Sequence, residues 1–77
     1  MSSGKLAWTV SHNNEVHIAR HHQQMTSILT FDRIGHFLRK TEVDHLLVDA
    51  VVVTKGQKVQ LVMTSTSLVE VLEVGKE

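Results

Sequence analysis

A chain of 77 residues is one domain with a marginal core, because a protein this short buries only about 60% of the surface its unfolded form exposes. It has no cysteine, which excludes disulfides, thiolate zinc sites, iron–sulfur clusters and cysteine nucleophiles, and leaves a histidine-based metal site or self-association to support the core. Eight basic residues balance eight acidic ones, which argues against simple charge-driven binding to nucleic acid or anionic lipid.

The first expected element is a hairpin over about 5–21. "KLAWTV" alternates with Leu6, Trp8 and Val10 on one face; "EVHIARH" alternates with Val16 and Ile18 on one face and His17, Ala19 and His21 on the other. A two-residue Asn13–Asn14 turn would place Val10 opposite His17 and Trp8 opposite Ala19, mixing wet and dry faces. A three-residue loop, His12–Asn13–Asn14, places Ser11 opposite Glu15, Val10 opposite Val16 and Trp8 opposite Ile18. That register keeps the faces clean, and it is the one the pattern predicts.

"SILTFDRIGHFLRK" predicts an amphipathic helix over about 30–40. Thr30 suits its N-cap, Asp32 its first turn, and Arg39 and Lys40 its last. Phe31, Ile34, Phe37 and Leu38 would form its apolar stripe, with Gly35 a weak point in it. "TEVDHLLVDA" reads either as helix or as the start of a long strand. A second hairpin is expected over about 46–63, with its turn at Lys55–Gly56 and with Val52 opposite Val59, Ala50 opposite Leu61 and Val48 opposite Met63. One of its faces is apolar; the other mixes Asp49, Val51, Val53, Lys58, Gln60 and Val62. "SLVEVLEVG" forms a short C-terminal element, with valines favouring a strand and Ser67–Glu70 spacing a capped helix. The expected fold is therefore α+β, two antiparallel hairpins around one helix, within a single domain 1–77 whose ends, 1–4 and 75–77, fray.

No apolar run approaches the roughly 18–20 residues that span a bilayer, and "MSSGKLAW" lacks the apolar core of a signal peptide. The expectation is a soluble, cytoplasmic protein without a membrane partner. No glycine-rich phosphate loop or GxSxG elbow is present, so an enzyme is not expected.

Charge is unevenly distributed. Residues 1–40 carry five basic side chains against two acidic, and five of the six histidines; residues 41–77 carry three basic against six acidic. Lys5, His17, Arg20, His21 and His22 are thus candidates for an anion or nucleic-acid contact, strengthened below about pH 6.5. A helix–turn–helix over 31–50 is disfavoured, because Glu42, Asp44 and Asp49 would meet phosphate. On a strand His17 and His21 lie about 13 Å apart and cannot share an ion. No metal or other cofactor is expected; the candidates for a site are His12, His17, His21 and His36, with help from a carboxylate or a symmetry mate. The pattern favours a small non-enzymatic binding or regulatory module acting as a homo-oligomer, a dimer or larger, through Val51, Val53 and Val62. A nucleic-acid-binding regulator, a partner of another protein and a histidine-based metal binder are the alternatives.

Overall fold

The computed structural model describes residues 5–12 and 14–76. Seven strands follow one another: β1 (Lys5–Ser11), β2 (Glu15–His22), β3 (Met25–Asp32), β4 (Phe37–Val43), β5 (Asp49–Lys55), β6 (Lys58–Thr64) and β7 (Val69–Lys76). They build two antiparallel meanders, β1-β2-β3-β4 and β5-β6-β7. Among the described residues there is no helix, and so none long and apolar enough to cross a membrane. Gly75 and Lys76, expected to fray, close β7; residues 1–4 and 77 lie outside the described residues.

The α+β expectation is therefore wrong, and the helix placed over 30–40 is a β-hairpin. Asp32 explains the difference. Its Oδ1 accepts hydrogen bonds from the backbone N–H of Ile34 (3.0 Å) and of His36 (2.8 Å), and its N–H donates to the His36 carbonyl (2.9 Å). Gly35 sits at φ +96°, a conformation a helix interior does not use. The acid that resembled a first-turn helix signal and the glycine expected to weaken the helix are turn residues. Phe31 and Phe37, assigned to one helical stripe, face each other across β3 and β4 with rings edge-to-face at 5.7 Å.

The first hairpin takes the register that the clean-face rule rejected. Trp8 lies opposite Ala19, Thr9 opposite Ile18 and Val10 opposite His17, and the His12 N–H donates to the Glu15 carbonyl at 3.0 Å across a two-residue turn. Asn13, part of the expected three-residue loop, lies outside the described residues. The faces of β2 are inverted relative to expectation: His17 and Ala19 are buried, while Val16 and Ile18 lie on the outer side. Shape accounts for part of this, since Ala19 leaves room for the indole of Trp8 where Ile18 would not. Buried hydrogen bonds to His17 account for the rest. A bulge between Leu6 and Trp8 then turns Leu6 outward.

The second hairpin is shifted by two residues, so each side chain keeps its face: Val52 lies opposite Leu61 and Ala50 opposite Met63. Gly56 at φ +64° opens the Gly56–Gln57 turn, one position beyond the expected Lys55–Gly56. The strand starts at Asp49 rather than near Leu46. The C-terminal element is a strand, preceded by a turn in which the Ser65 hydroxyl oxygen accepts from the N–H groups of Ser67 and Leu68.

Trp8, Ala19 and Ile28 from the first sheet meet Ala50, Val59, Leu61, Met63 and Val74 from the second. Leu47, in the crossing between β4 and β5, is fully buried with them. Its carbonyl accepts from Trp8 Nε1 (3.0 Å) and His21 Nε2 (2.8 Å), and its N–H donates to Thr26 Oγ1 (2.9 Å), which in turn donates to the His45 carbonyl (2.7 Å). The connection is thus hydrogen-bonded to the first sheet through one residue, whose side chain is buried in the core that both sheets share. Among the described residues no buried side-chain nitrogen or oxygen lacks a partner.

Candidate metal centre

The two-residue turn decides the site. It makes His12 and Glu15 the last cross-strand pair, and the two-residue period of β2 puts Glu15 and His17 on the same, inner face. His17 lies diagonally across from His12. The result is a triangle of donor atoms: His12 Nε2 to His17 Nε2 3.0 Å, His12 Nε2 to Glu15 Oε1 3.6 Å, and His17 Nε2 to Glu15 Oε1 3.6 Å. Three atoms bound to one zinc ion at about 2.0–2.1 Å with tetrahedral angles stand about 3.3–3.4 Å apart. The observed edges straddle that value, and shifts of a few tenths of an ångström would bring all three onto one ion.

The surroundings orient these groups. His17 has no solvent exposure, and its Nδ1 lies 2.8 Å from Thr30 Oγ1, itself buried and directly opposite on β3. The tautomer with its proton on Nδ1 donates to Thr30 and turns the Nε2 lone pair toward His12 and Glu15. Burial, reinforced by neighbouring His12 and by the Arg39 charge against the opposing effect of Glu15, lowers the His17 pKa from 6.5 to about 4. The imidazole is therefore neutral at physiological pH, the form that ligates metals. Arg39, opposite Thr30 on β4, donates from Nη2 to Glu15 Oε1 (2.8 Å) and to the Val74 carbonyl (3.3 Å). A carboxylate oxygen has two lone pairs, so Glu15 keeps one for a cation while Arg39 fixes its direction.

Two imidazole nitrogens and one carboxylate oxygen suit Zn²⁺ and its first-row neighbours rather than Ca²⁺ or Mg²⁺, which take oxygen ligands. A covalent catalyst is a poor fit. Thr30, His17 and Glu15 have the residue types of a nucleophile, base and acid, but Thr30 is only 2% exposed and out of reach of a substrate.

Of the four histidines the sequence offered for a metal, the structure brings together His12 and His17. His21 is held by the Leu47 carbonyl, and His36 stands exposed in the β3–β4 turn, 3.4 Å from Asp32. Glu15 was not among the candidates. The residues expected to share an anion-binding face are divided: His17 and His21 point inward, Arg20 and His22 line the outer face, and Lys5 is exposed opposite His21 on β1. Val51 and Val53 are exposed and Val62 half-buried on the outer face of the second sheet. No family model, curated protein or solved structure matches this chain.

Proposed function

We propose that this protein is a small non-enzymatic binding module that captures one divalent transition-metal ion, of the Zn²⁺ type, between His12, Glu15 and His17. The observation that carries the reading is the donor triangle, with edges of 3.0, 3.6 and 3.6 Å. Water or a partner's side chain would complete the coordination. The setting proposed is cytoplasmic, where a chain lacking cysteine forgoes nothing. The test is zinc titration of the purified chain in competition with a chromophoric chelator. One zinc per chain is expected, abolished in His12→Ala and weakened in Glu15→Gln. Binding that is equal in wild type and both variants overturns the proposal.

A further inference from the structure

The second sheet leaves one face outside the sandwich. Its register places three rows of side chains across β5, β6 and β7: Asp49–Thr64–Val69, Val51–Val62–Val71 and Val53–Gln60–Glu73. Beyond the third row stand Lys55 and Lys58. Val51 and Val71 are each 55% exposed, Val69 62% and Val53 39%. One exposed valine is ordinary; four on one three-stranded face form an apolar patch of the kind that marks an interface.

The charges on this face indicate what covers it. Asp49 stands at one end of β5, and Lys55 at the other beside Lys58 on β6. Two-fold symmetry makes an interface self-complementary. An axis lying across the strands, between the second and third rows, turns the face onto itself with strand directions reversed. Asp49 of each copy then meets Lys55 of the other, and Val51 of each packs on Val53. Along β5, acid and base stand at opposite ends of an apolar middle, Val51 and Val53, the pattern this operation requires, while Glu73 is paired with Lys58 of its own copy at 3.8 Å. Stacked sheets pack about 10 Å apart, close enough for both contacts.

We infer that the outer face of β5–β7 binds a second copy of the same chain, forming an antiparallel face-to-face dimer. This interface is separate from the metal centre, which lies on the inner face of the other sheet. The test is light scattering on the full chain at high micromolar concentration, with and without chelator. Wild type is expected at twice the 8.7 kDa chain mass in both conditions. Val51→Lys is expected to shift it to monomer. Asp49→Lys and Lys55→Asp should each raise the dissociation constant at least tenfold, and the double exchange, which restores the opposite charges, should recover the dimer. All three positions are exposed, and circular dichroism reports whether each variant keeps its strands. A wild-type monomer, a dimer indifferent to Val51→Lys, or a double exchange no better than the singles overturns the inference. Loss of the dimer on chelation alone would also overturn it, because it would move the contact to the metal.

Discussion

His12 Nε2 and His17 Nε2 lie 3.0 Å apart, each on the inner side of the first hairpin. Without a cation, one ring must donate its proton to the other, since two lone pairs at that distance repel. A metal removes that requirement. Ligand binding to the folded state alone stabilises by about 2.7 kcal/mol when free ligand is 100 times its dissociation constant. At about 4–8 °C per kcal/mol for a domain of this size, zinc should raise the melting temperature by roughly 10–20 °C. Scanning calorimetry with added zinc, then with excess chelator, measures the gain and its reversal. No change in either direction counts against the site.

Thr30 should matter to metal affinity without touching the ion. Thr30→Val keeps the shape but removes the oxygen 2.8 Å from His17 Nδ1. Groups that orient a ligating histidine typically contribute 10–100-fold in affinity. The zinc dissociation constant of Thr30→Val should rise by about that factor in the chelator competition, while stoichiometry stays at one.

The metal-free protein should lose stability as pH falls from about 6.5 to about 4. The His17 pKa is lowered from 6.5 to about 4 in the folded state, so below 6.5 the unfolded chain takes up the proton first and is favoured. At 1.36 kcal/mol per unit the full effect is about 3 kcal/mol, complete near pH 4 and absent above 6.5. Urea melts across this window should show the slope, and His17→Gln should flatten it. An equal slope in the variant would assign the effect to other groups.

Because Trp8 faces Ala19, enlarging the alanine should be costly. Ala19 has no exposure, and Ala19→Leu forces three more heavy atoms into space the indole fills. Overpacking of this kind destabilises by about 1–3 kcal/mol. Denaturation followed by the fluorescence of Trp8, the single tryptophan, measures it. In the alternative register, with Ile18 opposite Trp8, position 19 would face outward and the change would be nearly neutral.

Thr26→Val should destabilise by about 1–3 kcal/mol although the two side chains have nearly the same shape. The hydroxyl accepts from the buried Leu47 N–H and donates to the His45 carbonyl, and valine leaves both unpaired. Thermal melts would show a fall of several degrees.

The alternation of "KLAWTV" and "VVVTKGQKVQLVM" revealed strands, and the Lys55–Gln57 region revealed a turn, because period-two patterning and glycine act locally. The first hairpin's register depended on the opposite sheet. His17 is an inward residue only because Thr30 and His12 satisfy it, and neither contact can be read from the strand that carries it. The string "HNNEVH" did hold the site: a two-residue turn inside it gathers His12, Glu15 and His17, and a rule that buried positions are apolar hides them. The false helix at 30–40 arose because an Asp serves a helix's first turn and a tight turn alike, whereas Gly35, the weak point in that helix, lies in the turn itself.

Leu47 also orders events in time. Within each sheet every strand pairs with its neighbour in sequence, so loops of two to four residues are enough to zip both meanders. Hairpins of this kind close in about 1–10 μs. Seating the crossing, and with it the second sheet, is different: Leu47, two residues before β5, must find Trp8, 39 residues away, and His21, 26 residues away. That search closes the longest loops and comes last, after the meanders are formed. Changes at Leu47 or Thr26 should therefore accelerate unfolding while leaving the refolding rate almost untouched.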